Sequence, residues 1–313
     1  MRDNMKKCMP LHYNTPLIKH YNLSNQLNKN IWLKMDCFQP VQSFKIRGIG
    51  KLCVNAKEKG YSHLVSASGG NAGYATAYSG YCLNMSVTVF MPNNAAISTQ
   101  NRLKELGANV ILSGDSLDDA QKSALEYAEK YAAFFVPPFN HPIIWEGHST
   151  IIDELTEQME EQPDTIVMSV GGGGLMCGII QGIDRHNWEN VKIITSETIG
   201  TSSLKQSVEA HKLIKLNSTQ GIATSLGAKQ VAEQAFEYTK NHDITCLSVS
   251  DEESLQACVR FANEQKVLVE PACGATLAVL YNHQHALENL KNIVFIVCGG
   301  INTHWLMVSC ADV

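Results

Sequence analysis

The chain has 313 residues, 44% of them hydrophobic and 18% charged, with a net charge of −5. That apolar content excludes a disordered chain, the acidic balance gives no reason to expect nucleic acid or an anionic membrane as partner, and no apolar run reaches the roughly 18 residues of a membrane-spanning helix. The N-terminal MRDNMKKCMP has no apolar stretch behind its charges, so no secretory signal is expected and the cytoplasm is the expected compartment. The ten cysteines include no CxxC pair, which points to reduced, mostly buried thiols.

In chain order, short β-branched runs alternate with longer amphipathic stretches. A strand is expected at 31–36, a helix from the SFKIRG segment to Lys59, and strands at 62–67 and 86–91. Helix patterns follow at 95–106 and 117–131 on either side of a strand at 109–113, and the proline-rich loop 136–142 leads into a helix from Ile143. Strands at 165–170, 191–197, 244–249 and 292–300 then alternate with helix patterns at 175–183, 228–239 and 252–264. Strands separated by helices pair in parallel, and strands apolar on both faces belong to covered sheets, so the class is α/β. The proline-rich loop suggests a boundary, with residues 46–140 as a small domain and 1–45 with 141–313 as a large one.

Three clusters carry chemistry. Gly171–Gly174 lies between a strand and a helix, where backbone N–H groups and the helix N-terminus receive a phosphate. The spacing does not match GxGxxG, and no GKS or GKT follows, so a single phosphate fits better than a dinucleotide; a tight turn that binds nothing is the plainer alternative. Lys45, in QSFKIRG, opens a helix, which is electrostatically unfavourable for a cation. Imine formation with an aldehyde cofactor would remove that charge, although most lysines are simply solvated. Ser68-Gly69-Gly70-Asn71, again between a strand and a helix, forms a small anion-receiving nest or no more than a helix cap.

Together with VPPF (136–139), PIIWEGH (142–148), SETIG (196–200), VLVEPACGA (267–275) and IVCGG (296–300), these clusters resemble, in order and over nearly the whole chain, the fold type II pyridoxal 5′-phosphate enzymes. Within them the chain is most similar to the L-serine/L-threonine dehydratases of the animal liver type. The resemblance implies a tryptophan synthase β-like fold of two open, twisted, mostly parallel sheets flanked by helices, with the active site between the domains. It implies that Lys45 forms the Schiff base, that Phe44 and Ala223 sandwich the cofactor ring, that Gly171, Gly172, Gly173 and Gly174 hold its phosphate and that Asn71 contacts its 3′-oxygen. Ser68, with the amides of Gly69, Gly70 and Asn71, would receive the substrate carboxylate. Glu197, helped by the carbonyl of Leu226, would bind a monovalent cation, expected to be potassium. Cys298 stands where the family supplies a partner for the pyridine nitrogen; a thiol is a weak donor and leaves the ring near neutral, which favours β-elimination over side reactions. Without the other motifs Cys298 would be read as a core cysteine.

The implied activity is deamination of L-serine to pyruvate and of L-threonine to 2-oxobutanoate, each with ammonia, by a homodimer. Lys45 would act as the base at Cα. Serine racemase, threonine deaminase of the biosynthetic type and β-replacement enzymes are alternatives on the same scaffold, as is a non-catalytic protein that binds the cofactor. Three departures stand out: Gly69 where the best-known members have alanine, expected to leave more room beside the substrate; Val41-Gln42 in place of a Ser-Gly pair; and Ile301 in place of a serine. Glu146 and His148 are read as polar neighbours of the site loop, and His283 and His285 as lying on different faces of a helix, which disfavours a metal site.

Overall fold

The alternating runs become ten strands and eleven α-helices in a computed structural model, which describes residues 10–303. In chain order the elements are β1 (Leu17–Lys19), α1 (Tyr21–Leu27), β2 (Asn30–Lys34), α2 (Lys45–Glu58), β3 (His63–Ser66), α3 (Asn71–Leu83), β4 (Ser86–Met91), α4 (Ile97–Glu105), β5 (Asn109–Leu112), α5 (Leu117–Lys130) and β6 (Phe134–Phe135). The second half holds α6 (Pro142–Gln158), β7 (Thr165–Ser169), α7 (Gly174–Arg185), β8 (Lys192–Thr198), α8 (Ser203–Glu209), α9 (Glu233–Asn241), β9 (Ile244–Val249), α10 (Asp251–Gln265), α11 (Pro271–Asn282) and β10 (Asn292–Ile296).

These elements divide into two units. One comprises residues 10–13 and Lys45–Pro138, the other Asn14–Phe44 and residues 139–303. The smaller unit is built on a parallel sheet in the order β5-β4-β3-β6. Helices α2 and α3 pack against each other, and α5 packs on β3 and β4 through Ala120, Ala124 and Ala128, which meet Val65 and Phe90. The larger unit has a six-stranded sheet in the order β1-β2-β10-β7-β8-β9, parallel except where β1 meets β2. Every residue of β7 is buried, as expected of a central strand covered on both faces.

In each sheet one pair of neighbouring strands marks a reversal of strand order. In the smaller sheet β4 and β5 lie on one side of β3 and β6 on the other; in the larger, β8 and β9 lie on one side of β7 and β10 on the other. Ligands of open α/β sheets bind at the carboxyl ends of strands at such points. Those ends are followed by Ser68–Gly70 after β3, Gly171–Gly173 after β7 and Cys298 after β10.

Polar groups also hold the larger interior. Lys34 is fully buried and forms an ion pair with Glu154 at 2.5 Å, donating further to the Thr15 carbonyl at 2.7 Å and Gln158 Oε1 at 2.8 Å. Thr15 closes the network by donating from its amide to Glu154 and from its hydroxyl to Asp36. The eight cysteines among the described residues are free, and six of them are buried. No helix among the described residues is long and apolar enough to cross a membrane.

Several expectations are corrected. The helix pattern at 228–239 is helical only from Glu233, because the preceding residues are drawn along the glycine loop, where the Ala232 amide donates to the Gly172 carbonyl. The last strand ends at Ile296 instead of continuing to residue 300, since Gly299 and Gly300 take positive φ. The segment at 271–282 is a helix that its small residues and glycine concealed. Because α11 stops at Asn282, His283 and His285 do not face opposite ways: their rings are 5.8 Å apart, and His283 pairs with Glu253.

Candidate active site

The larger unit holds most of the residues singled out. After β7 the chain turns through Gly171–Gly173 into α7, whose N-cap, Gly173, has φ +83° and offers no side-chain cap. The amides of the first turn are therefore directed at whatever lies beyond the helix N-terminus, where the dipole favours an anion. Side chains are excluded here: a Cβ on Gly172 would lie 2.3 Å from the Phe139 ring. Phe139, from the VPPF motif, is itself held by Trp145, whose Nε1 donates to its carbonyl at 2.8 Å. The segment from Ala223 to Leu226 runs beside the same loop, since a Cβ on Gly171 would come within 3.0 Å of the Ser225 carbonyl and 3.1 Å of Leu226 Cα. Ala223 is buried.

At the neighbouring strand end, Cys298 is buried and its carbonyl accepts from the Phe44 amide at 3.2 Å. A bridge between Ser43 and Gly299 and a bond from the Gly300 amide to the Gln42 carbonyl fasten the two segments further. The ring of Phe44 packs at 4.9 Å on His148, which is fully buried on α6. Hydrogen bonding with Cys273, burial and the charge of Glu270 hold the Cys298 thiol well above its ordinary range, so it is a neutral donor. Gln42, one of the departures, has φ +56°, the conformation for which the expected glycine is suited.

Glu197 lies on β8 and is wholly buried. Its two oxygens accept from the amides of Leu204 at 2.9 Å and Lys205 at 2.8 Å, capping the start of α8. Burial pushes its carboxyl up to about 7 against the pull of those amides. The hydroxyl of Ser203, whose amide also faces the Glu197 carboxylate, is buried with no partner. Leu226, expected from the sequence to offer a second oxygen, accepts from the Ala228 amide at 2.7 Å.

The smaller unit holds the remaining residues. Lys45 is the first residue of α2, is half-buried, and its Nζ donates to the Pro138 carbonyl at 2.7 Å. Between β3 and α3, Ser68 Oγ accepts from the Gly70 amide at 3.3 Å. Gly70 is the N-cap and adds no side-chain cap, so this helix too opens on bare amides, with Asn71 buried as its first residue. The Ser68 carbonyl folds onto the first turn so closely that a Cβ on Gly73 would lie 1.7 Å from it. The extra room expected at Gly69 is not there: a Cβ would meet Met91 Cε at 2.5 Å and Thr99 Cγ2 at 3.2 Å.

Sequence reasoning gave no role to Ser203, Ser169, Met91 or Cys273, the last of these inside the VLVEPACGA stretch; they become neighbours of the singled-out residues through strand pairing and helix packing. His148 stood in a motif but was given no partner; the contact with Phe44 supplies one.

Residues 9–299 match the family described as pyridoxal-phosphate dependent enzyme. The chain is 41% identical to the L-serine dehydratase of Dictyostelium discoideum, an alignment covering 98% of this chain and 93% of that protein. It is 43% identical to the L-serine dehydratase/L-threonine deaminase of Bos taurus, over 94% of this chain and 92% of that one. Among solved structures, a fungal L-serine ammonia-lyase from Rhizomucor miehei matches with a TM-score of 0.92 at 32% identity, over 97% of this chain and 99% of that chain.

Proposed function

We propose, for a chain that belongs to the pyridoxal-phosphate dependent enzyme family, the α,β-elimination of L-serine to pyruvate and ammonia and of L-threonine to 2-oxobutanoate and ammonia. The names of its near full-length relatives support this reading, and the observation that carries it is the neutral, buried thiol of Cys298 at the end of β10.

The residues present fit the cofactor. A glycine loop cleared of side chains and opening a helix without a side-chain cap suits its phosphate. In this reading Gly171–Gly174 hold that phosphate, Lys45 carries the aldehyde carbon, Asn71 meets the ring oxygen, Phe44 and Ala223 cover the ring faces, and Cys298 hydrogen-bonds the ring nitrogen. When bound, pyridoxal 5′-phosphate supplies an electron sink for the charge that develops at the substrate Cα.

The chain's own groups do the rest. Ser68 and the amides opening α3 bind the substrate carboxylate, because bare first-turn N–H groups favour an anion. The Lys45 amine, once free, removes the Cα proton. Cys298 would donate to the ring nitrogen without bringing a charge, which would leave the ring near neutral and favour departure of the β-hydroxyl over side reactions. Water lost from the substrate leaves an enamine, which tautomerises and hydrolyses to the keto acid and ammonia.

Glu197, Ser203 and the carbonyl of Leu226 form the proposed monovalent cation site, with potassium as the ion. Support comes from a buried carboxyl raised to about 7 and a buried hydroxyl without a partner next to it. The domain reading assigns the two units to a small and a large domain, and the same reading includes a cytoplasmic homodimer.

The test is to supply the purified protein with cofactor, potassium and L-serine or L-threonine, and to follow keto acid, D-serine and cofactor absorbance. Keto acid should form, and Lys45→Ala should lower its rate by ~10²–10⁴-fold. No keto acid from either substrate, D-serine as the main product, or full turnover by Lys45→Ala would overturn the reading.

A further inference from the structure

Cys298 is surrounded by polar groups to which the proposed elimination assigns no task. Their role rests on the same reading, the one that places the Cys298 thiol at the ring nitrogen. Pairing of β7 with β10, in register Phe295 to Val167, brings Ser169 beside Cys298, with Oγ 3.7 Å from Sγ. Cys273, in the first turn of α11, is a second hydrogen-bond partner of that sulfur. Ser169, Cys273 and Cys298 are 6%, 0% and 4% exposed, so none relies on water for a partner.

The donor roles follow from chemistry. A hydroxyl is the stronger donor, whereas a thiol has one proton and a sulfur that accepts weakly. Ser169 therefore donates to Sγ, which occupies a lone pair and leaves the Cys298 proton to be directed elsewhere. We propose that Ser169 and Cys273 are positioning residues for Cys298: Ser169 anchors the sulfur by donating to it, and Cys273 accepts the thiol proton until the ring nitrogen takes that hydrogen bond. Glu270, which precedes α11, also favours the protonated form of this thiol, and Cys298 in turn pushes up the neighbouring thiols of Cys37 and Cys258.

The experiment uses the full chain without cofactor and follows iodoacetamide alkylation of the Cys298 peptide by mass spectrometry across pH. Ser169→Ala removes a donor that also stabilises the thiolate, so alkylation should slow by ~3–10-fold. Cys273→Ala removes the acceptor that favours the thiol, so alkylation should quicken by a similar ~3–10-fold factor. Ser169→Thr and Cys273→Ser keep the polar partner and should restore the wild-type rate.

Residues that merely fill space would loosen the site when truncated, and both alanine variants would then react faster; that result, or two unchanged rates, overturns the proposal. If Ser169→Ala does not fold, the contrast between Cys273→Ala and Cys273→Ser decides. After reconstitution with pyridoxal 5′-phosphate, Ser169→Ala should also shift the visible absorption band, and an unmoved band overturns the link to the ring nitrogen. Failure of the dehydratase reading would show separately, as absence of keto acid from the unmodified protein.

Discussion

A methyl group added at Gly69 and one added at Gly73 would meet opposite kinds of neighbour. At Gly69 the obstacle is the end of the Met91 side chain, 2.5 Å from the added carbon; at Gly73 it is the Ser68 carbonyl at 1.7 Å, which is backbone. Methionine has several rotatable bonds and adapts, so Gly69→Ala should cost less than ~1.5 kcal/mol in denaturant unfolding and change the ratio of serine to threonine turnover. Gly73→Ala must push away the loop that carries Ser68. We expect it to cost ~3 kcal/mol or more and to raise KM before it lowers kcat, because the turn that moves is the one proposed to bind the substrate carboxylate. Equal costs for the two variants would show that the Ser68 turn yields as easily as a side chain. Gln42 offers the converse case. Its φ of +56° is one that glycine adopts without strain, so Gln42→Gly should leave stability unchanged or raise it by up to ~1 kcal/mol in thermal unfolding. The residue type at 42 was legible as a departure; that it carries strain became legible only from the backbone.

Elements were legible where burial is one-sided in its demand. The strands at 86–91 and 244–249 coincide with β4 and β9, and the starts of α5 and α10 follow capping boxes at Ser116 and Ser250 that local chemistry dictates. The two-residue β6 is too short for any period to show, and α11 is apolar all round, so neither stood out. Element ends at the site were hidden for a different reason: the residues before α9 and after β10 are drawn out of regular structure by contacts with the glycine loop and with residues 42–44. The capping of α8 by Glu197 is likewise a tertiary fact, and it carries a pH dependence. The Glu197 carboxyl is raised from 4.5 to about 7 in the folded chain, so between these values the folded state binds a proton that the unfolded state has lost. Stability from this group is full below pH 4.5 and declines as pH rises through about 7, by an amount on the order of 3 kcal/mol. Glu197→Gln should abolish that decline in urea titrations. In the proposed cation reading, potassium favours the ionised form and should flatten the wild-type decline, while lithium should not.

At the scale of the whole molecule, the arrangement of candidate groups follows from topology more than from any single motif. Both sheets reverse their strand order at one pair of neighbours, and the loops at those points are Ser68–Gly70, Gly171–Gly173 and the residues after β10. Alternation of strands and helices predicts parallel sheets but not strand order. The sequence thus shows which loops are rich in glycine, but not that each closes a reversal, and the family resemblance supplied that missing step. In the proposed reading a cofactor held at these loops would bind the folded chain alone, and folding and loading would then be linked by mass action. At a cofactor concentration about 100 times its dissociation constant the folded state gains ~2.7 kcal/mol, which for a chain of this size raises the melting temperature by roughly 4 °C. Removal of pyridoxal 5′-phosphate should lower the melting temperature by that amount, and adding it back should restore it in proportion to the logarithm of its concentration. Lys45→Ala should lose most of the gain, because the proposed covalent attachment would be gone. Inorganic phosphate should return a small part of it to either form, since the glycine loop and the first turn of α7 are unchanged. A melting temperature indifferent to cofactor in the wild type, measured by differential scanning calorimetry, would mean that these loops do not bind it.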